Sequence, residues 1–400
     1  MKLALIIDDY LPDSTRVGAK MFQDLALELI SMGHNVTVIT PAVGQSKKFA
    51  DQSIAGVNVW CFSSGPIKDE GKVTRALNET LLSFRAWSAI EQHVNERTFE
   101  GVIYYSPSIF FSGLVNKIKK RCKCPSYLVL RDLFPQWVID AGMIKKGSLI
   151  DKYFKFFEQR SYQAANTIGL MSEKNIEVFK LSNQDKYPTE VLRNWADIKP
   201  INIDNTVTLF RSKLQLQDKI IYFYGGNIGH AQDMANLMRL VKNMKNYTQA
   251  HFLFVGQGDE VELINQLADQ WDLRNYTYLP SVNQSEFKKI LAEVDVGLFS
   301  LSAGHTAHNF PGKLLGYMVQ SLPILGSVNS GNDLKMLVNS SEAGLISENG
   351  DDEQLLKNAI ALCESSGLRK ALGHKAYELL KNEFSVTAIA ANIVKKLKEK

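Results

Sequence analysis

The chain has 400 residues, of which 45% are hydrophobic and 22% are charged, and its formal net charge is +4. A chain of this length exceeds the size at which one hydrophobic core keeps growing, so we expect two domains with a cleft between them. The composition excludes a disordered or fibrous protein, and the small positive charge disfavours a dedicated nucleic-acid-binding protein.

The charge is distributed unevenly along the chain. Residues 1–200 hold 26 Lys and Arg against 21 Asp and Glu, whereas residues 201–400 hold 20 against 21. The first half therefore suits phosphorylated substrates or an anionic membrane surface.

The N-terminus and the cysteines indicate the compartment. The apolar residues Met1–Ile7 are followed at once by Asp8 and Asp9, which the core of a signal peptide would not contain. The four cysteines form neither a Cys-x-x-Cys pair nor a metal-ligand spacing, so we expect reduced, structural thiols in a cytoplasmic protein. The sequence also lacks Asp-x-Asp and metal-ligand clusters, and we therefore expect neither a metal nor a cofactor.

Short apolar runs rich in β-branched and aromatic residues alternate with helical patterns through the first half. The opening run is followed by a helical pattern at Phe22, Leu25 and Leu29 and, after Gly33, by a second run. Such alternation predicts a parallel sheet. The predicted strands are Leu3–Ile7, Val36–Thr40, Val57–Phe62, Val102–Tyr105, Tyr127–Leu130, Thr167–Met171 and Glu190–Leu192.

A second series of the same kind begins near residue 219, which predicts a second Rossmann-like domain. The polar stretch Ile198–Asn205 separates the two series and is the predicted hinge. The last segment, Val386–Lys398, is a predicted amphipathic helix. The predicted strands of this series are Ile220–Tyr224, His251–Val255, Tyr276–Leu279, Val294–Phe299, Pro323–Leu325 and Gly344–Ile346.

Ligands of open parallel sheets bind beyond the carboxyl ends of the strands, so the loops there are the candidate sites. The first, Asp8–Gly18, leads into a helix whose N-terminal N–H groups suit an anion, although Gly18 also suits simple packing. The second begins with Arg131 and Asp132 directly after a strand, a pair that suits either a site or a local ion pair.

Two further loops lie in the second series. The segment Tyr224–His230 has the sequence YGGNIGH, in which glycines permit close approach to a phosphate. The segment His305–Tyr317 contains Pro311 and Gly312 at the predicted start of a helix, with Lys313 in its first turn. Because a cation is unfavourable at a helix N-terminus, Lys313 indicates a bound anion, with a solvated lysine as the alternative.

The stretch Ile109–Lys123 begins apolar and ends with five cations among seven residues. It predicts contact with anionic lipid head groups. The alternative is a helix buried on one side, whose cations complement the dipole at its C-terminus.

With these loops placed, the chain resembles the GT-B glycosyltransferases of family 4 over nearly its whole length. The resemblance rests on Gly18-Ala19, Gly33-His34, the run Val36–Thr40 and Asn194 within the sequence LRNWAD. The residues RDLFP at 131–135, GGNIG at 225–229 and PGK at 311–313 are most similar to WbuB-type O-antigen L-fucosamine transferases.

The resemblance implies two Rossmann-like domains facing across a cleft. Residues 1–200 with the C-terminal helix 384–400 would bind the acceptor, and residues 201–383 the nucleotide sugar. The implied donor is UDP-linked N-acetyl-L-fucosamine, and the implied acceptor is a polyprenyl-diphosphate-linked saccharide at the inner face of the membrane. The implied catalytic residues are Asp132 and Lys313, with Asp9 and Arg131 on the acceptor side. The implied donor-binding residues are Gly18, Asn194, Gly226, Asn227, His308, Gly312, Lys313 and Leu314.

Two glutamates of the family motif are replaced here, by His308 and Gly316, and Asn227 stands where many relatives have Arg. The resemblance implies a metal-independent, retaining transfer in which no protein base is needed. A shifted donor would instead let Asp132 act as a base from the opposite face. A GT-B sugar-nucleotide epimerase and a non-enzymatic nucleotide-sugar-binding scaffold remain the alternative functions.

Overall fold

The computed structural model describes the whole chain except residues 13, 15, 16, 68–70, 107, 132, 136–138, 140–143, 197, 201–209, 305–310 and 400. The chain forms two compact units: the first comprises residues 1–195 and 386–400, and the second comprises residues 196–385. Within the described ranges, no helix is both long and apolar enough to cross a membrane.

The first unit alternates strands and helices along the chain. Its elements up to the boundary are β1 (Lys2–Ile6), α1 (Val17–Ser31), β2 (Asn35–Val43), β3 (Phe49–Ile54), β4 (Val57–Ser64), α2 (Lys72–Thr80), α3 (Leu82–Ile90), β5 (Gly101–Ser106), α4 (Ser112–Cys122), β6 (Ser126–Leu130), α5 (Leu149–Ala164), β7 (Thr167–Leu170), α6 (Glu173–Asn183) and β8 (Thr189–Val191). Short 3₁₀ turns at Glu91–His93 and Ile109–Phe111 follow α3 and precede α4.

These strands form an eight-stranded sheet in the order β3-β4-β2-β1-β5-β6-β7-β8. All neighbours pair in parallel except β3, which runs antiparallel to β4. A hydrophobic core covers each face of the sheet: one contains Phe22 and Leu25 of α1, and the other contains Leu114 of α4 and Tyr162 of α5. Coverage of both faces explains why the strands are nearly continuous apolar runs.

The sequence analysis did not predict β3. Its residues FADQSI are mostly exposed and lack the apolar alternation by which strands are recognised. The turn that joins it to β4 consists of Ala55 and Gly56, both with positive φ. Two such residues form the tight turn of a β-hairpin, so this edge strand is specified by its turn more than by its own side chains.

The second unit repeats the alternation. Its elements are α7 (Phe210–Lys213), β9 (Ile220–Asn227), α8 (Met234–Asn243), β10 (Ala250–Gln257), α9 (Val261–Gln270), β11 (Tyr276–Pro280), α10 (Gln284–Leu291), β12 (Val296–Ser300), α11 (Gly312–Val319), β13 (Ile324–Val328), α12 (Asp333–Ser340), β14 (Gly344–Glu348), α13 (Asp352–Glu364) and α14 (Ser366–Leu379). A 3₁₀ turn (His230–Gln232) precedes α8 and a π-helical turn (Leu380–Phe384) follows α14.

The six strands of this unit pair in parallel in the order β11-β10-β9-β12-β13-β14, again with an apolar core on each face. The order places β9 and β12 side by side at the centre of the sheet. The prediction of two Rossmann-like α/β domains is therefore confirmed.

The C-terminal helix α15 (Val386–Lys398) returns to the first unit. Its apolar residues Ile389, Ile393 and Leu397 are buried in the same core as α1. The amide of Asn392 donates a hydrogen bond to Glu190 Oε1 at 3.0 Å, which ties the helix to β8. Most of the predicted hinge, residues 201–205, lies outside the described residues.

Candidate functional site

The carboxyl end of the central strand β9 carries the glycine-rich segment Gly225-Gly226-Asn227. Gly226 has a φ of +115°, a conformation that side chains disfavour. A β-carbon on the adjacent Gly256 would lie only 1.8 Å from the Gly226 carbonyl oxygen, so β10 must have glycine there. Gly226 and Asn227 are exposed. Two glycines thus create an open strip of backbone at the edge of the sheet.

Lys313 extends toward this strip from the first turn of α11. Its Nζ lies 3.6 Å from the centre of the Tyr224 ring and is buried without a hydrogen-bond partner among the described residues. A β-carbon on Gly226 would be 3.8 Å from this Nζ. Because burial disfavours the charged form, the pKa of Lys313 is lowered to about 7. The solvated alternative is therefore wrong, and anion binding by Lys313 stays a prediction.

Two tyrosines that stand in the candidate segments, but to which the sequence analysis gave no role, shape this corner. The Tyr317 hydroxyl accepts a hydrogen bond from the Gly225 N–H at 3.3 Å and lies 3.0 Å from the Leu298 carbonyl oxygen. The Tyr224 hydroxyl donates to the carbonyl of Asn227, the last residue of β9. Both rings are fully buried in the second unit. Their hydroxyls hold the glycine-rich segment in place, and their position inside strong apolar patterns is why sequence reasoning missed them.

The other donor-side predictions occupy varied environments. Gly312 is exposed at the start of α11, and the amide of Asn227 donates to Gln232 Oε1 at 2.8 Å. The Leu314 side chain is buried in the core, while its N–H donates to the Pro311 carbonyl at 3.0 Å. His308 lies outside the described residues. A β-carbon on Gly316 would meet only the Leu291 side chain, at 3.4 Å.

A buried polar cluster joins the ends of β12, β13 and β14 to the start of α8. The Asn236 amide donates to Ser300 Oγ at 3.0 Å and to Ser327 Oγ at 2.7 Å. The Asn349 amide donates to Asp233 Oδ2 at 3.0 Å. The sequence did not predict this cluster, although serines at the ends of two neighbouring strands, Ser300 and Ser327, are its signal.

In the first unit, α1 packs against the end of β5. A β-carbon on Gly18 would lie 3.1 Å from the Tyr105 hydroxyl oxygen, closer than most side-chain contacts. The rings of Tyr105 and Phe22 meet edge to face, with centroids 4.9 Å apart. Gly18 therefore allows the first turn of α1 to approach Tyr105, which supports the packing role and leaves anion binding a prediction.

Arg131 and Asn194 lie near the same end of α1. Arg131 Nη1 is 3.2 Å from Met21 Sδ, and the indole N–H of Trp195 donates to the Met21 carbonyl at 3.0 Å. Asn194 is buried, and its Oδ1 has no hydrogen-bond partner among the described residues. The structure thus brings the strand-end arginine and the interdomain asparagine to one edge of the first sheet. Asp132 lies outside the described residues.

Asp9, the other residue predicted for the acceptor side, follows β1. Its Oδ2 accepts a hydrogen bond from Ser14 Oγ at 2.7 Å. This hydrogen bond links Asp9 to Ser14.

The structure does not agree with the prediction that the stretch Ile109–Lys123 forms a lipid-facing surface. Lys117 and Arg121 lie over the Trp87 ring at 5.6 and 5.0 Å, and Lys119 Nζ donates to the Ala164 carbonyl at 2.7 Å. The alternative, a helix buried on one side with cations at its end, describes α4. The apolar residues of this stretch that are buried in the core of the first unit are Ile109, Phe110, Phe111, Leu114 and Val115.

Two Rossmann-like α/β domains, each with glycines and polar groups at the carboxyl ends of its strands, are the architecture of the GT-B fold. Residues 206–379 match the family model of the glycosyl transferases group 1. The matched segment contains β9, α11 and Lys313.

Two curated proteins are similar in sequence. The probable glycosyltransferase WbjE of Pseudomonas aeruginosa is 23% identical over 238 residues, an alignment that covers 59% of each chain. The putative colanic acid biosynthesis glycosyl transferase WcaI of Escherichia coli K12 is 23% identical over 329 residues, which covers 78% of this chain and 80% of that protein.

Solved structures show the same fold over the whole chain. HepE from Anabaena in complex with UDP superposes with a TM-score of 0.67 at 14% identity, with full coverage of both chains. WaaG, a glycosyltransferase involved in lipopolysaccharide biosynthesis, gives a TM-score of 0.59 at 14% identity and the same coverage. The trehalose-6-phosphate synthase OtsA gives 0.66 at 11% identity, covering 100% of this chain and 99% of that one.

Proposed function

We propose that the protein transfers a sugar from a nucleoside diphosphate sugar to an acceptor. The observation that carries the proposal is Lys313, whose Nζ is buried over the Tyr224 ring without a hydrogen-bond partner among the described residues and lies close to the exposed Gly226 of β9. A buried cation is costly unless an anion compensates it. A diphosphate bound at Gly226 and at the start of α11 would supply that compensation.

The position of Lys313 suits the chemistry of glycosyl transfer. When the glycosidic bond to the donor phosphate breaks, negative charge accumulates on the leaving diphosphate. A preorganised ammonium and backbone N–H groups at that point stabilise the transition state more than the ground state. Since Lys313 supplies the positive charge itself, we propose that the transfer needs no metal ion.

The donor is proposed to be a UDP-sugar. HepE, a relative in fold, was solved with UDP and with UDP-glucose, which supports a uridine nucleotide. From the likeness of its strand-end motifs to WbuB-type transferases, we propose N-acetyl-L-fucosamine as the transferred sugar. His308 and Gly316, in place of the two family glutamates, fit a donor sugar that differs from that of most relatives.

The acceptor is proposed to be a polyprenyl-diphosphate-linked saccharide in surface polysaccharide or O-antigen synthesis. The names of WcaI and WaaG, which refer to colanic acid and lipopolysaccharide biosynthesis, support this class of product. Such an acceptor would place the protein at the inner face of the cytoplasmic membrane, with Arg131, Asp132 and Asp9 on the acceptor side.

A two-stage experiment tests the proposal. Thermal unfolding of the purified full-length chain with UDP-, GDP- and TDP-sugars identifies the donor class, because a ligand that binds only the folded state raises the free energy of unfolding. The selected donor is then incubated alone and with a polyprenyl-diphosphate-linked saccharide. Formation of the extended lipid-linked product is expected. Interconversion of the donor alone would indicate an epimerase, and binding without any product would indicate a scaffold.

A further inference from the structure

The helix α5 of the first unit presents large apolar side chains to solvent. Leu149 is 84% exposed, Ile150 58% and Phe156 50%. Isolated apolar residues on a protein surface are ordinary, but three within two helical turns form a patch that is typical of an interaction surface. The site residues described above do not include any of them.

The apolar residues share a face of α5 with cations. Leu149, Lys152, Phe156 and Arg160 follow one another at intervals of three or four residues, which places them on one side of the helix. The Arg160 guanidinium carbon lies 4.6 Å from the centre of the Phe156 ring. On the opposite side of α5, Tyr162 is buried in the core of the first unit. The exposed side of α5 therefore carries both apolar and positively charged side chains.

The carboxylates of this segment do not lie on the exposed face of α5. Residues 144–164 contain two carboxylates, Asp151 and Glu158. The Asp151 side chain is 2% exposed and accepts a hydrogen bond from the Gly147 N–H at 2.6 Å. Glu158 accepts one from the Tyr162 hydroxyl at 2.8 Å, and burial raises its pKa to about 7. The exposed charges of this segment are consequently positive.

We propose that this surface, the α5 face, docks the protein on an anionic lipid bilayer. Apolar side chains beside lysine and arginine enter the boundary between head groups and acyl chains while the cations contact lipid phosphates. The proposal rests on the proposed function in one respect: docking would bring the protein to a lipid-linked acceptor in the bilayer. The α5 face consists of Lys146, Leu149, Ile150, Lys152, Phe156 and Arg160.

Charge complementarity favours a bilayer as the occupant. A protein partner or a second copy of the chain would cover the three apolar side chains equally well, but it would have to neutralise the cations with its own carboxylates. An anionic bilayer offers a hydrocarbon boundary and a dense layer of phosphates at once, so it satisfies both kinds of side chain.

Vesicle co-sedimentation of the full-length chain tests the proposal. The probes are vesicles of phosphatidylcholine alone and of phosphatidylcholine with phosphatidylglycerol. We expect binding to the mixed vesicles that weakens as salt rises. The variant L149Q/I150Q/F156Q should bind on the order of 1,000-fold less tightly, because each of the three apolar side chains contributes roughly tenfold when buried in the interface. The variant K146Q/K152Q/R160Q should lose about fivefold per cation on mixed vesicles only.

Two control variants use equally exposed positions elsewhere. L181Q/M336Q removes apolar side chains that are 83% and 67% exposed on α6 and α12, and K120Q/K123Q removes two cations at the end of α4. Both should bind vesicles like the unchanged protein. Equal loss in K120Q/K123Q and K146Q/K152Q/R160Q would overturn the proposal in favour of α4. Normal binding by L149Q/I150Q/F156Q, or no binding by the unchanged protein, would also overturn it.

Two further measurements separate folding, self-association and catalysis. All variants should keep the unfolding midpoint and the circular dichroism spectrum of the unchanged protein, which shows that they are folded. Light scattering that finds a dimer dissociated by L149Q/I150Q/F156Q, with vesicle binding intact, would identify the α5 face as an interface between copies. Since sedimentation requires no sugar transfer, the docking proposal and the proposed function can each fail without the other.

Discussion

The two units have the same architecture, but the cations near the carboxyl ends of their strands lie in different environments. In the second unit, Lys313 is buried beneath the glycine-rich end of β9 without a hydrogen-bond partner among the described residues. In the first unit, Arg131 Nη1 lies 3.2 Å from Met21 Sδ, and the nearby Asn194 Oδ1 is buried without a hydrogen-bond partner among the described residues. A buried cation favours an anion, whereas an amide oxygen accepts a hydrogen bond from a hydroxyl. The difference supports the proposal that the second unit binds the diphosphate and the first unit binds the acceptor sugar.

Among the changes that test this comparison, the largest loss of turnover is expected from the replacement of Asp132 in the first unit. If Asp132 is the general base, Asp132→Asn should lower turnover on the order of 10²–10⁴-fold and change the pH profile, because the proton of the attacking hydroxyl loses its acceptor. If the leaving phosphate accepts that proton, the loss should be small. NMR of the product decides between the two: inversion accompanies the base, and retention accompanies the phosphate.

Replacement of Lys313 should have the next largest effect. Lys313→Ala should lower kcat/KM, because the transition state loses about 2–4 kcal/mol of stabilisation, the range for one preorganised electrostatic contact. Steady-state kinetics measures the loss, with Lys288→Ala on the exposed side of α10 as the matched control. If Lys313→Ala were as active as the control, the buried cation would have no role in the transfer. The proposed contrast between the two units would then be wrong.

Alanine at one closely packed glycine of each unit compares how tightly the two backbones are packed. Gly256→Ala should cost about 3 kcal/mol or more of the free energy of unfolding, because its β-carbon would overlap the Gly226 carbonyl. Gly18→Ala should change it by less than about 1 kcal/mol, since alanine favours the helix while Tyr105 must shift slightly. Urea denaturation of both variants measures the difference. Equal costs would mean that the close approach of β9 and β10 has no special role.

The smallest effect expected is a pH dependence of donor binding. The pKa of Lys313 is about 7 in the ligand-free protein, and a bound diphosphate raises it by favouring the charged form. Binding then takes up a proton above pH 7, so the affinity for a UDP-sugar should fall as pH rises, by at most about tenfold per pH unit. Calorimetric titration across this range measures it. Lys313→Arg should bind with little pH dependence, because arginine stays charged.

Two helices of the first unit show how far the sequence could be interpreted. Both α4 and α5 combine apolar and basic residues, and the sequence analysis assigned the membrane surface to the stretch containing α4. In the structure, Phe110 and Leu114 are buried, whereas Leu149 and Phe156 face solvent. A periodic pattern shows which side of a helix is apolar. It does not show whether a sheet or another helix covers that side, because the covering residues are distant in sequence.

The candidate site was predictable to a similar degree. Lys313 was found because a cation in a first helical turn opposes the helix dipole, and Gly226 because strand-end glycines admit ligands. Tyr224 and Tyr317 were missed because aromatic residues inside apolar runs are ordinarily core residues. Their hydroxyls gain a role only once β9 and α11 lie side by side.

The sequence by itself determined the local and periodic features of this protein: thirteen of the fourteen strands in the described part of the chain, the alternation that makes the strands pair in parallel except β3 with β4, and the amphipathic C-terminal helix. These follow from the spacing of neighbouring residues, which the order of the chain contains directly. Only the tertiary structure decided which apolar faces are covered, that the Lys313 ammonium is buried without a partner in the described part of the chain, and that α5 exposes Leu149 and Phe156. Burial and desolvation depend on residues far apart in the chain, and those contacts form only when the sheets assemble.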